Sequence, residues 1–270
     1  MTAKQKIELL LEKQSYTFED LVTVVEVLRS EQGCPWDREQ DHKSIRKDLI
    51  EETYEVVEAI DTENCALLRE ELGDLMLQIV FHSQIETEQG RFDIGDVSND
   101  ICKKLIHRHP HVFGEVEAKT SDVVLSNWEK IKSEEKDRRT VTDKLRAIPP
   151  MLPALMRAEK VGKKASCFDF ANREQVLAKL DEEIAELKDA VAADDAAAIE
   201  EEMGDLLLTV TSLCRKLGVE SEVALNRATD KFIDRFDTLE RETLVRGLDI
   251  KNTPIEQLDR IWDEIKHKKS

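Results

Sequence analysis

The sequence predicts an all-α protein made of two tandem helical domains of four-helix-bundle type, and three observations lead there. Glycine (9 residues) and aromatic residues (5%) are scarce while Glu, Lys, Leu and Ala abound, a composition that favours helix. A length of 270 residues leaves room for two modest domains. An acidic pattern also occurs twice: Glu51, Glu52, Glu55, Glu71 and Asp74 recur as Glu182, Glu183, Glu186, Glu202 and Asp205, each displaced by 131 positions. The duplication divides the chain into an N-terminal domain, 1–148, and a C-terminal domain, 149–270. Pro149, Pro150 and Pro153 mark a semi-rigid junction between them.

In chain order, Thr17 with Asp20 reads as a cap for a helix from Phe18 to about Glu31, stopped by Gly33. Cys34 to Gln40 is expected as loop. Ser44 is a candidate cap for the first acidic helix, which runs to about Ile60, and a second acidic helix runs from about Asn64 to Glu88. A third, about Val97 to Arg108, ends where Pro110 forbids continuation, so His109 to Gly114 is expected as loop. Its histidines, with His107, lack an adjacent carboxylate partner and are read as structural. Ser121 to Lys136 predicts a fourth helix bearing Trp128, and Lys132 to Arg139 a solvated charged run. The second half repeats the order. A helix is expected from about Ala154 to Lys164, a loop at Cys167 to Phe170, and acidic helices from about Glu174 to Val191 and Asp195 to Leu217. Thr253, Pro254 and Glu256 predict the start of the last helix.

Helical spacing makes the acids a candidate site. Residues three or four apart share a face, so Glu52 projects with Glu55 and Glu71 with Asp74. At about 100° per residue, Leu49, Thr53, Val56 and Ile60 form one apolar stripe and Leu68, Leu72, Leu75 and Ile79 another, each with its acids along one border. Packed antiparallel, the two stripes bring the acids together at the edge of a shared core. Like charges about 4 Å apart repel by roughly 4 kcal/mol at an effective dielectric near 20, so convergence calls for a cation. An all-oxygen set without His or Cys suits Mg²⁺, with Mn²⁺ as substitute.

Downstream of the acids, each half carries Asn, Lys and Arg in one spacing and then a Trp. These are Asn99, Lys104, Arg108 and Trp128 in the first half and Asn226, Lys231, Arg235 and Trp262 in the second. Lys and Arg neutralise phosphates, and Trp can stack on a base. The copies differ beside the last cation, where His107 and His109 correspond to Asp234 and Phe236.

A net charge of −18 opposes binding to a nucleic-acid backbone. No stretch approaches 18 apolar residues, which predicts no membrane span. Five scattered cysteines without a C-x-x-C pair read as reduced thiols of a cytoplasmic protein. P-loop, dinucleotide-binding and zincin motifs are absent.

The paired acidic motifs, Cys34-Pro35-Trp36-Asp37, His109-Pro110-His111-Val112-Phe113-Gly114 and Leu152-Pro153-Ala154-Leu155 together resemble a two-domain MazG protein over nearly the whole chain. The resemblance implies a Mg²⁺-dependent nucleoside triphosphate pyrophosphohydrolase that forms an intertwined homodimer in the cytoplasm. It implies Glu183, Glu186, Glu202 and Asp205 as metal ligands, and Lys231, Arg235 and Trp262 as nucleotide contacts. Lys179 and Asn226 are further substrate-binding candidates. Glu182, Glu183, Lys231 and Arg235 are the catalytic candidates, Glu182 as acceptor of the attacking water's proton. The first copy, with Glu51, Glu52, Glu55, Glu71, Asp74, Asn99, Lys104, Arg108 and Trp128, is a second possible site. Two other classes compete: a nucleotide sensor with one silent copy, and a di-iron bundle using Glu39 with His42 and Glu264 with His267.

Overall fold

The structure, a computed structural model, describes residues 1–118, 120–135 and 140–268. Its regular elements are helices, with no strand among the described residues, as the composition predicts. The chain falls into two compact units, Met1–Lys132 and Ser133–Ser270. No described helix is long and apolar enough to cross a membrane.

The first unit contains α1 (Ala3–Leu11), α2 (Phe18–Arg29), α3 (Pro35–Glu39), α4 (Arg46–Asp61), α5 (Cys65–Glu88), α6 (Ile94–Arg108) and α7 (Pro110–Phe113). The division between units falls within α8 (Ser121–Glu135). The expected helix end at Lys136 and the charged run to Arg139 lie outside the described residues. Antiparallel packing of α4 on α5 is the main contact of this unit, and α2 packs on α5. Val25, Ile45, Val80, Phe81 and Ile85 form the buried core, with Leu21, Val22, Leu77 and Ile94 against it. Asp20 accepts from the Thr17 amide at 2.8 Å, so α2 begins as expected.

Several local expectations are corrected. The Cys-Pro-Trp segment is the short helix α3 and not a loop, because Pro35 at its first position pre-sets the helical φ and forfeits no needed hydrogen bond. Pro110 ends α6 but opens α7 for the same reason. Ser44 does not cap α4: its hydroxyl accepts from the Asp41 amide (2.9 Å) and donates to the Asp41 carbonyl (3.0 Å), closing a turn ahead of the helix. Only Leu49, Val56, Leu68 and Leu75 of the two stripes are half-buried; Thr53, Ile60, Leu72 and Ile79 are exposed.

Polar ties fix the segment that leads into α4. Arg29 makes a bidentate pair with Glu88 (2.7 and 2.8 Å) and donates to the carbonyls of Asp37 (2.6 Å) and Gln40 (3.0 Å). His42 reaches Glu86 at 2.5 Å and stacks on His82, the two Nδ1 atoms 2.8 Å apart. Hydrogen bonds from Arg91 first, then His42, hold the Glu86 carboxyl down at about 2. A depressed acid contributes stability above its unfolded value near 4.3 and loses it as pH falls toward 2. The Arg91 bond to Glu86 is therefore expected to hold unchanged from pH 8 to pH 5, which amide hydrogen exchange of residues 86–91 would check.

The second unit contains α9 (Val141–Arg146), α10 (Ala154–Lys164), a 3₁₀ turn at Ser166–Phe168, α11 (Arg173–Ala192), α12 (Ala196–Leu217), α13 (Ser221–Val245) and α14 (Ile255–Lys268). Here α11 packs on α12 as α4 does on α5, and α14 packs on α13. The repeat extends to the hairpin turns. Glu63 and Asp194 both take left-handed backbone (φ 53° and 55°), and the next residues, Asn64 and Asp195, cap the following helices through their side-chain oxygens. The Thr253 hydroxyl donates to the Asp249 carbonyl (2.7 Å) instead of capping α14, which begins at Ile255 after Pro254.

Candidate active site

Each helical hairpin brings three carboxylates together. Glu52 and Glu55 on α4 meet Glu71 on α5, and Glu183 and Glu186 on α11 meet Glu202 on α12. In each triplet one oxygen of every residue lies within 4.8 Å of the others. Glu71 and Glu183 are buried. Asp74 and Asp205 stand outside these triplets, near enough for their charges to raise the pKa of Glu52 and Glu202 respectively. Glu51 and Glu182 are exposed and belong to neither triplet.

Crowding has the expected electrostatic effect. Glu52 is pushed up to about 7, first by burial and then by the charges of Asp74 and Glu55. Burial, followed by neighbouring carboxylates, also raises Glu71 and Glu202. A cation bound here must displace a proton from Glu52 below pH 7 but not above it. A divalent ion is accordingly expected to raise the unfolding temperature more at pH 8 than at pH 6, a difference that differential scanning fluorimetry would read.

The two triplets differ in one neighbour. Lys179 Nζ donates to Glu182 at 2.6 Å and lies 3.1 Å from Glu183 and 3.8 Å from Glu186. Those bonds, to Glu182 first and Glu183 next, hold the ammonium above its ordinary pKa. The residue 131 positions earlier is Asp48, paired with Lys47 at 3.6 Å. The second triplet thus carries its own counter-charge where the first has a further acid.

The cationic and aromatic residues form a separate group in each copy. On α13, Asn226 and Lys231 are exposed and Arg235 is half-buried. Neither Lys231 nor Arg235 has an ion pair among the described residues. Trp262 on α14 lies 5.4 Å from the ring of Phe232. In the first copy Asn99 and Lys104 are exposed, whereas Arg108 is buried with its guanidinium 5.2 Å from the Trp128 ring, and Lys132 Nζ lies 4.2 Å over the same ring. Among the described residues no hydrogen bond or ion pair joins Asn226, Lys231, Arg235 or Trp262 to the second acidic triplet. The di-iron alternative fails on this geometry. His42 is held by His82 and Glu86, Glu264 pairs with Arg246 at 2.6 Å, and neither Glu-x-x-His pair enters a described ligand cluster.

The sequence profile of the MazG nucleotide pyrophosphohydrolase domain matches the chain twice, at residues 40–113 and 171–239. The chain belongs to the MazG family. Both matches contain a complete acidic hairpin, so the duplication is one of whole MazG domains. A nucleoside triphosphate pyrophosphohydrolase/pyrophosphatase MazG of Thermotoga maritima is 44% identical over 251 residues, 92% of this chain and 95% of the relative. A nucleoside triphosphate pyrophosphohydrolase of Escherichia coli K12 is 43% identical over 251 residues, 91% and 95% of the two chains. A Mycobacterium tuberculosis protein of the same name is 38% identical over 149 residues, 53% of this chain and 45% of its own. The MazG domains hold the carboxylate clusters that suit a divalent metal.

Proposed function

We propose that the chain hydrolyses nucleoside triphosphates at the α–β phosphoanhydride, giving the monophosphate and pyrophosphate, with the second acidic triplet as the working site. The observation that carries this reading is the convergence of Glu183, Glu186 and Glu202, with Lys179 bridging their edge, inside a matched MazG domain. The donor set is all oxygen, which fits Mg²⁺ and, as substitute, Mn²⁺. Glu183, Glu186, Glu202 and Asp205 would hold the ion, whose chemistry is to neutralise phosphate charge and act as Lewis acid.

The chain's own residues account for the remaining steps. Lys231 and Arg235 neutralise phosphate oxygens, Asn226 donates a hydrogen bond, and the Trp262 indole meets the base. Lys179 stays at the edge of the carboxylates, where its ammonium also offers a donor to a phosphate oxygen of the substrate. Glu182, oriented by Lys179, accepts the proton of a water that attacks the α-phosphorus as pyrophosphate departs on the opposite side.

One observation favours a different role for the first copy. Arg108 is buried against Trp128, and Asp48 stands where the second copy has Lys179, so the first copy lacks two cationic contacts the second presents. We read it as a binding copy without turnover. The reading includes a homodimer in the cytoplasm, supported by the exposed Leu72, Met76, Ile79, Leu207 and Leu208 on the ligand-bearing helices. Sedimentation equilibrium giving the mass of a single chain would remove the dimer.

The test is incubation with each common ribo- and deoxyribonucleoside triphosphate and Mg²⁺, with chromatography and a pyrophosphate assay. Equal amounts of monophosphate and pyrophosphate are expected, lost with EDTA and restored by Mg²⁺ or Mn²⁺. Diphosphate with orthophosphate would place attack at the γ-phosphorus and overturn the proposal.

A further inference from the structure

Phe232 and Phe236 stand one turn apart on α13, immediately after Lys231 and Arg235 in sequence. At about 100° per residue the helix therefore presents a cationic row and an aromatic row side by side. The Phe232 and Phe236 rings lie 6.1 Å apart at an interplanar angle of 25°, and Phe232 meets Trp262 at 5.4 Å and 49°. Both phenylalanines are exposed, Phe232 by 56%, so they add little to the core. The core of this helix pair is built from Leu239, Ile261 and Ile265, with Leu258 and Trp262 packed against them.

The first copy shows what happens without that row. The residues 127 positions earlier are Leu105 and His109, and the His109 ring is bonded to the Leu105 carbonyl at 2.6 Å. There the indole of Trp128 is engaged by Arg108 and Lys132. An indole face attracts a cation wherever one can reach it. An aromatic neighbour gives the ring an edge-on partner instead and fixes its tilt.

We propose that Phe232 is a positioning residue of the second copy, holding the Trp262 indole at the angle that receives the nucleotide base while Lys231 and Arg235 stay available to the phosphates. This rests on the placement of the nucleotide given above. Phe232 acts through Trp262, so its effect belongs to the base and not to the phosphates.

The experiment uses the full chain and two probes, ATP as substrate and inorganic tripolyphosphate as a competitor that has no base. Phe232→Leu, the first copy's residue, is expected to raise KM for ATP by about 3- to 10-fold, the range of one aromatic pair. The effect appears in KM and not in kcat, and the inhibition constant of tripolyphosphate does not move. Phe232→Tyr keeps the ring and restores the KM. Lys231→Ala raises both constants, because it touches phosphates. An unchanged KM in Phe232→Leu overturns the proposal. An equal rise in KM and in the tripolyphosphate constant also overturns it, since Phe232 would then be shaping the phosphate site. If Lys231→Ala moves neither constant, the nucleotide placement itself fails and the proposal with it.

Discussion

Glu183→Gln is expected to lower the rate of pyrophosphate release by about 10³-fold or more, some 4 kcal/mol of transition-state stabilisation, while leaving helical content and unfolding temperature close to wild type. The two halves of that expectation have separate causes. Glu183 is the buried member of the triplet that it forms with Glu186 on its own helix and Glu202 on the next. Gln keeps its size and one carbonyl oxygen but carries no charge, which weakens the grip on a divalent ion and on the substrate phosphates the ion neutralises. The fold loses little, because the substitution also removes a like-charge repulsion, and Lys179 keeps Glu182 at 2.6 Å. Asp205→Asn is expected to act in the same direction. Glu52→Gln, the matching change in the first copy, is expected to leave turnover nearly intact. Circular dichroism and a coupled pyrophosphate assay on the three variants would read all of this. Full activity in Glu183→Gln would remove the second triplet from the reaction, and equal losses in Glu183→Gln and Glu52→Gln would make both copies catalytic.

The acidic hairpins were legible because two independent regularities coincide. Helical spacing alone puts Glu52 with Glu55, and a 131-residue repeat reproduces the arrangement down to the left-handed turn residues Glu63 and Asp194. Spacing also places Asp74 and Asp205 beside Glu71 and Glu202; their charges act on Glu52 and Glu202, while the tight triplets are made by the glutamates alone. The i to i+3 step carries each aspartate a turn further along its helix, and its side chain is one methylene shorter than glutamate.

Lys179 was recognised as a candidate, but its contrast with Asp48 requires carrying the 131-residue displacement to residues that are not acidic, where chemistry differs between copies. The aromatic row was missed for a related reason. Phe232 and Phe236 look like core residues in an amphipathic helix, and only their exposure shows otherwise. The short helices α3 and α7 were read as loop because Pro was weighed as a terminator, although a proline at the first helical position is an initiator. Exposure of Leu72 and Ile79 was likewise beyond periodicity, which gives the face of a helix but not what covers it.

Asp169→Asn carries the largest expected effect on stability. Asp169 follows Phe168, a residue 94% exposed, in the segment leading into α11, and it accepts from Arg215 (2.7 and 2.6 Å) and Lys216 (2.8 Å) on α12. The aspartate side chain is 13% exposed and its two partners 21% each. Removing the carboxylate charge leaves two cations close together and mostly out of water, with Glu159 as the remaining nearby acid against Arg215. Breaking a fully buried pair costs roughly 3–5 kcal/mol, and partial exposure reduces that here to about 2–3 kcal/mol. For a unit of this size the unfolding temperature is expected to fall by about 6–12 °C.

The pH dependence identifies the cause. The Arg215 hydrogen bonds first, and those of Lys216 after burial has worked against them, hold the Asp169 carboxyl well below the usual carboxylate range. A depressed acid stabilises the fold fully above its unfolded pKa near 3.9 and ceases to do so as pH falls toward the folded value. The gap between wild type and Asp169→Asn should therefore be constant from pH 8 to pH 5 and narrow below pH 4. Thermal unfolding followed at 222 nm across that range would measure it. A gap below 1 °C at pH 7, or one that does not narrow in acid, would show that the ion pair is not what anchors the start of α11 to α12. The first unit fastens the corresponding segment differently, through Arg29 and two backbone carbonyls. Because a backbone carbonyl cannot be neutralised by acid, that anchor is expected to persist below the pH at which the Asp169 tie is lost.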